Sequence, residues 1–298
     1  MRLNYLTVCL PLIFSLSTFA QWGSQEYNEG DVISNNATGV QGDYHIEYWK
    51  DNGSGSMTLG EDCGFSCQWG QVGNILFRKG IRPGGRDLIV SYEADYQPQG
   101  NSYLSIYGWF ENPLVEYYII ESWGSWKPPG VQKKSSFENE EGTYDIFQNS
   151  RTGPSIKGNT TFQQYWSVRT AKRTSGIITV GDHFAAWEDA GMQIGTFYEV
   201  SFNVEAYQSP GGKAEVTVVM MTEEEYLSTG VKRDAAFNRS GTAAIPMLNN
   251  HTPATFYNVL GQKMTGMSGR VRFQGPNSVQ LHPVNGASGV YYSIPEQR

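Results

Sequence analysis

A chain of 298 residues with 22 Lys and Arg against 29 Asp and Glu carries a formal net charge of −7. That balance argues against a polyanionic partner such as nucleic acid and makes a neutral polymer the natural alternative. Its 8 Trp and 18 Tyr are many aromatics for this length; sugars present CH faces that stack on flat rings, but core packing absorbs such rings too, so their placement along strands decides.

In chain order, the first segment reads as a targeting signal. Arg2, the apolar run from Leu6 to Leu16 and Ser17-Thr18-Phe19-Ala20 have the layout of a secretory signal peptide over residues 1–20, cleaved after Ala20. The run is short for a spanning helix and no later stretch is apolar enough, so no membrane span is expected and the product is expected to be secreted, outside the cell or attached to its surface. Residues 21–41 then form an N-terminal extension. Cys9 leaves with the leader, so only Cys63 and Cys67 remain in a chain bound for an oxidising compartment. In a straight strand such a pair lies roughly 13 Å apart, and bonding it needs a turn at Gly64. Two ordinary cysteines or one small loop closure is the favoured reading. His45, His183, His251 and His282 show no ligand spacing, so no metal is expected.

From about Asp43 to Met221 short alternating or β-branched runs punctuated by Gly, Asn and Pro predict an all-β sandwich or barrel. Strands are expected over Asp43 to Lys50, Asp87 to Tyr92, Ser102 to Trp109, Leu114 to Trp123, Thr161 to Thr170, Tyr198 to Tyr207 and Ala214 to Met220. One segment breaks the pattern: Asp182 can cap a short helix through His183, Phe184, Trp187 and Glu188, with Phe184 and Trp187 on one face and Gly191 at its end. Residues 222–250 open on Glu223, Glu224 and Glu225, lose periodicity and read as a linker. Strand-like runs return in 251–298, at Ala254 to Val259, Gly269 to Phe273 and Gly289 to Ile294, as a small β module that is marginal alone.

The chemistry is expected on three strands. Alternation puts Tyr103, Tyr107 and Trp109 on one face and Leu104, Ile106 and Phe110 on the other, an aromatic face suited to a sugar groove opposite an aliphatic core face. The next strand places Glu116 beside Tyr118 and sends Val115, Tyr117, Ile119 and Glu121 to the other side. A carboxylate in so apolar a strand is costly unless satisfied or used; the alternative is a buried glutamate paired with an arginine. Phe202-Asn-Val-Glu-Ala-Tyr-Gln repeats the situation with Glu205, and Tyr207 follows two residues on. Two such glutamates invite a glycosidase mechanism, although spacing in sequence cannot set their separation in space.

Seven motifs, Asn101-Ser-Tyr-Leu-Ser-Ile-Tyr-Gly-Trp, Asn112-Pro-Leu-Val-Glu-Tyr-Tyr-Ile-Ile-Glu, Tyr144-Asp-Ile, Pro154-Ser-Ile, Phe162-Gln-Gln-Tyr-Trp-Ser-Val-Arg, His183-Phe-Ala-Ala-Trp and Val204-Glu-Ala-Tyr, together resemble glycoside hydrolase family 11 over 42–221. The resemblance implies a β-jelly roll of two curved antiparallel sheets with one short α-helix, a cleft on the concave side and a hairpin thumb over it. It also implies a retaining endo-β-1,4-xylanase that needs no cofactor, with a monomeric catalytic domain and xylan as its polysaccharide partner. In that likeness Glu116 matches the nucleophile and Glu205 the general acid/base, which must then keep a raised pKa. Tyr107 and Tyr118 match tyrosines beside the nucleophile, Trp109 and Tyr207 line the groove, and Trp49 matches a stacking platform in a distal subsite. Arg151, Pro154, Ser155 and Ile156 fall in the thumb, with Gln164 and Trp166 at its base.

The sequence departs from the family pattern in places. Val204-Glu-Ala-Tyr-Gln-Ser-Pro-Gly carries Ala206 and Pro210 just after the acid/base, where they change backbone freedom and the shape of the rim. Ile81 stands where a Trp is usual, which loosens the alignment around Asn74. The tail from Thr252 to Tyr292 resembles C-terminal sorting segments of type IX secretion substrates, which would engage secretion or cell-surface machinery; a small carbohydrate-binding or structural module is the alternative. For the whole chain, a β-1,4-glucanase of the same clan and a non-catalytic polysaccharide-binding module are the rival readings. Asn74 matches the residue that hydrogen-bonds the acid/base, and an asparagine there implies a near-neutral optimum. Asn74→Asp is therefore expected to lower the optimum in a pH–rate profile, and an unchanged profile contradicts the assignment.

Overall fold

The computed structural model describes residues 25–228 and, further along, the backbone of five short strands. The expected leader and residues 229–250 of the expected linker lie outside the described residues. In chain order the strands are β1 (Gln25–Glu26), β2 (Val32–Ile33), β3 (Ala37–Gln41), β4 (Tyr44–Lys50), β5 (Ser54–Leu59), β6 (Phe65–Ile81), β7 (Leu88–Pro98), β8 (Ser102–Glu111) and β9 (Val115–Trp123). There follow β10 (Ser135–Asn139), β11 (Gly142–Gly153), β12 (Thr160–Arg169), β13 (Ser175–Thr179), helix α1 (Val180–Asp189), β14 (Thr196–Thr222) and helix α2 (Glu223–Ser228).

The all-β reading holds, with one instructive difference. The two expected sheets are one hydrogen-bonded sheet of 14 strands in the order β1-β3-β4-β6-β14-β8-β9-β12-β11-β10, with β2-β5 and β13-β7 branching from β6 and β14. Those two strands are long enough to serve both layers. The stretch 74–81 of β6 pairs with 200–207 of β14 in the inner layer, and 65–72 with 209–216 in the outer one, in one unbroken register. The strands expected over Tyr198 to Tyr207 and Ala214 to Met220 are thus a single strand. It bends where Gln208 takes a φ of 46° and where β6 turns at Gln71, φ 49°. Left-handed backbone at non-glycine residues is uncommon and re-aims a chain sharply; it falls just after Glu205, where the sequence carries Ser209-Pro210.

The sheet is not wholly antiparallel. β12 returns from the β10–β11 excursion and lies parallel to β9, placing Gln164 beside Glu116 and Trp166 beside Tyr118. Between the layers sits the main core, with Ile46, Phe77, Leu104, Ile106, Phe110, Tyr117, Ile119, Phe202 and Val204 all buried. α1 adds Phe184 and Trp187 to it, on one face as their spacing requires, against Phe110 and Tyr117 at ring separations of 5.2 to 5.6 Å. Its start differs from expectation: Thr179 is the N-cap, Asp182 lies in the first turn, and Glu141 Oε1 accepts the Thr179 backbone N–H at 2.7 Å. Asp182 instead accepts from Asn139. Gly191, φ 73°, does end the helix.

The segment expected as linker begins as α2. The Thr222 hydroxyl accepts from the Glu225 N–H at 3.2 Å while the Glu225 carboxylate accepts from the Thr222 N–H at 2.7 Å, a reciprocal capping box, and Tyr226 is buried. Cys63 and Cys67 are both free and buried. In the tail, strands lie at Phe256–Tyr257, Lys263–Met264, Gly269–Phe273, Val279–Pro283 and Gly289–Tyr291, the last three forming one antiparallel sheet. No helix among the described residues is long and apolar enough to cross a membrane.

Beneath β9 lies a buried ionic cluster. Glu121 accepts from Arg173 Nε at 2.6 Å, from the Tyr144 hydroxyl at 2.6 Å and from the Tyr92 hydroxyl at 2.7 Å. Removing one partner of a buried pair leaves an uncompensated charge, at a cost of about 3–5 kcal/mol. Arg173→Met is therefore expected to lose stability of that order in denaturant unfolding, and a loss under about 1 kcal/mol, the range of exposed pairs, contradicts this view of the cluster.

Candidate active site

Strand alternation gives the inner layer two faces. One enters the core, and the other carries a second buried cluster of Leu76, Tyr103, Tyr107, Trp109, Tyr118, Phe162 and Trp166, with Trp49, Trp123, Phe147 and Ile156 packed against it. Side chains of β4, β6, β8, β9, β12 and β11 thus line one continuous concave face.

Glu116 and Glu205 both lie on it, 6% and 4% exposed. β8 runs between them, with Trp109 opposite Glu116 and Tyr103 opposite Glu205. Those partners are far apart along β8, so the carboxylates approach each other through the curvature of the sheet and not by side-by-side pairing. Their approach is seen in shared electrostatic neighbours: Tyr118, two residues beyond Glu116, lowers the Glu205 pKa, Glu116 raises it, and Arg151 acts on both acids.

The two environments differ. Glu116 accepts from the Tyr107 hydroxyl at 2.8 Å and from Gln164 Nε2 at 2.6 Å, one donor on each oxygen. Each donor is itself held. Trp109 Nε1 donates to Tyr107 Oη at 2.7 Å, while Asn149 Nδ2 donates to Gln164 Oε1 at 2.7 Å and Asn149 Oδ1 accepts from Trp166 Nε1 at 2.7 Å. Glu205 Oε2 is buried without a partner. Burial pushes both carboxyls up, but the hydrogen bonds from Gln164 and Tyr107 counter the push at Glu116. At Glu205 burial is reinforced by the charge of Glu116, with Tyr118, Arg151 and Arg78 pulling the other way, and the carboxyl is held at about 8. Of two acids sharing one hollow, the well-donated one ionises and the other keeps the proton.

Two further buried glutamates supply a contrast. Glu121 is paired with Arg173, and Glu199 with Arg82 at 2.8 Å and Arg78 at 3.3 Å. Neither Glu116 nor Glu205 has an ion-pair partner within 4 Å among the described residues. Those residues also hold no group of three or more His, Cys, Asp and Glu that could hold a metal ion.

The structure brings Trp49, Tyr107, Trp109, Tyr118, Gln164 and Trp166 to this face, with Tyr118 and Trp166 stacked at 4.1 Å and 5°. β11 and β12 form the overhanging hairpin, Arg151 near its end. At the tip, Ser155 and Gly158 bond each other's backbone, Ile156 packs on the concave cluster, Pro154 is exposed, and Lys157 ion-pairs with Glu111. Tyr207 is 42% exposed at the rim, opposite Asn74. Asn74 Oδ1 is buried without a partner, as is Glu205 Oε2. Sequence reasoning missed Asn149, which strand alternation with Phe147 and Arg151 could have revealed. It also missed Trp126, 44% exposed with its ring 6.4 Å from Tyr103, which lies past the strand end where no periodicity points to it.

Replacing Glu116 by Gln removes the negative charge that helps to raise Glu205. The Glu205 carboxyl in Glu116→Gln is therefore expected to titrate below the wild-type value of about 8 in carbon-13 NMR of labelled glutamate; a value that stays or rises contradicts the coupling.

Comparison with known proteins places this geometry. The model of "Glycosyl hydrolases family 11" matches residues 41–217. An endo-1,4-beta-xylanase A of Bacillus pumilus is 47% identical over 194 residues, 62% of this chain and 85% of that one. An endo-1,4-beta-xylanase A of Thermoclostridium stercorarium is 41% identical over 284 residues, 85% of this chain. The chain spans about half the length of the two Thermoclostridium stercorarium proteins it matches, 44% and 56%. The solved family 11 xylanase from Neocallimastix patriciarum superposes with a TM-score of 0.59 at 40% identity, covering 64% of this chain and all of that one.

Proposed function

Because the chain belongs to the glycosyl hydrolases of family 11, we propose that it is a secreted endo-β-1,4-xylanase that cleaves internal xylan bonds with retention of configuration. The observation that carries this reading is the split between two buried acids on one concave face, one well donated and the other holding its proton.

Glu205 gives its proton to the glycosidic oxygen as the C–O bond breaks, and the Glu116 carboxylate attacks the anomeric carbon to form a glycosyl ester. Glu205, now a carboxylate, takes a proton from water, whose oxygen displaces Glu116 and restores both groups. Tyr107 and Gln164 fix the nucleophile's orientation, each braced from behind by an indole or amide. Trp49, Trp109, Tyr118, Trp166 and Tyr207 offer ring faces and hydroxyls to the sugar chain, while Arg151, Pro154, Ser155 and Ile156 close over it from the hairpin. Asn74 tunes Glu205. The net charge of −7 suits a polymer without phosphate. Residues 1–20 serve as the export leader, and the module in 251–298 sorts the protein or attaches it to the cell surface.

Reducing-sugar release from xylan, with little from carboxymethylcellulose, is the expected behaviour of the full chain. Glu116→Gln is expected to lower kcat/KM on xylan by at least ~10³-fold. Retained activity in that variant would remove Glu116 as nucleophile, and equal release from both polymers would favour the glucanase.

A further inference from the structure

Trp123 ends the concave row on one side. It faces Tyr103 across the β8–β9 pair, and Tyr103 faces Glu205 across the β8–β14 pair. Directly opposed residues in neighbouring strands share a face, and two strand spacings amount to about 10 Å, so Trp123 stands about that far from Glu205 on the concave face. Its ring packs on the concave cluster.

That ring is flanked by two ammonium groups, Lys127 Nζ at 5.1 Å and Lys172 Nζ at 5.2 Å from the centroid. Lys127 is drawn to Asp145 at 3.8 Å. Lys172 is exposed, donates to the Gly124 carbonyl at 3.1 Å and makes no ion pair within 4 Å among the described residues. Beside the ring opens a cavity of about 350 Å³ lined by Tyr96, Ser122, Trp123, Lys172, Arg173 and Thr174, in the size range of small-ligand sites. No carboxylate lines it, and Arg173 is already committed to Glu121. In a chain of net negative charge, Lys172 is thus a cation left facing a sugar-sized hollow beside an indole.

We propose that this cavity receives a uronic acid side group of decorated xylan, its ring face on Trp123 and its carboxylate on Lys172. The proposal rests on the xylanase reading above and adds a substrate preference to it: acidic decoration near the cleaved bond is accepted and favoured. A neutral arabinosyl branch could use the indole face but would gain nothing from the ammonium group.

The test compares kcat/KM of the full chain on linear xylan, arabinoxylan and glucuronoxylan for wild type, Lys172→Gln, Lys172→Arg and Thr174→Glu. The glucuronoxylan-to-linear ratio is expected to fall about five-fold in Lys172→Gln, the size of one partly exposed charge pair, and to be retained in Lys172→Arg. Thr174→Glu sets an opposing charge on the same wall and decides by the same ratio should Lys172→Gln fail to fold. An unchanged ratio, or an equal fall on arabinoxylan, overturns the uronate site. Wild-type inactivity on linear xylan would instead overturn the xylanase reading.

Discussion

Two carboxylates are buried on one curved face without a cation paired to either, and the rest of the structure is arranged around that cost. Elsewhere the protein satisfies buried glutamates in the ordinary way, Glu121 with Arg173 and two tyrosines, Glu199 with Arg82 and Arg78. At Glu116 and Glu205 the charge is managed differently. Neutral donors stabilise one carboxylate, the other is left with a bare oxygen, and Arg78 and Arg151 act from a distance. Neutral donors allow Glu116 to stay charged without being masked, whereas a contacting guanidinium would tie up its oxygens.

The pairing geometry explains why the fold must be curved. Side by side on flat strands, Glu116 and Glu205 would stand well apart, because their partners on β8 lie toward opposite ends of it. β6 and β14 supply the curvature by running through both layers and bending at Gln71 and Gln208. The parallel seating of β12 against β9 does the complementary work. It sets Gln164 directly beside Glu116 and stacks Trp166 on Tyr118, so the base of the overhanging hairpin is also the wall of the acid site.

Much of this was legible in the residues. Period-two alternation sorted Tyr103, Tyr107 and Trp109 from Leu104, Ile106 and Phe110, and the two groups do fall in separate clusters. A strand-embedded glutamate, though, reads alike whether it is used or neutralised: Glu116 and Glu121 sit in the same strand with opposite fates, decided by Arg173 some fifty residues away. Convergence of Glu116 with Glu205 was equally hidden, since curvature is a property of the whole sheet. The Asp182 cap was misplaced because the Glu141 carboxylate, from the turn between β10 and β11, satisfies the Thr179 backbone N–H and lets the helix begin earlier. The acidic triplet that suggested a linker is the first turn of α2, where negative charge and the Thr222–Glu225 box favour a helix.

A concave face that holds one acid charged and the other protonated has the parts for two successive displacements at one carbon, and the covalent species between them is the claim's most exposed point. Incubating the protein with an activated 2-deoxy-2-fluoro-xylobioside, which slows the second displacement more than it slows the first when the leaving group is good, should accumulate a glycosyl ester. Peptide mass spectrometry should then find the added disaccharide mass on Glu116. A protein that turns over xylan yet carries no adduct, or carries it on another residue, contradicts the account.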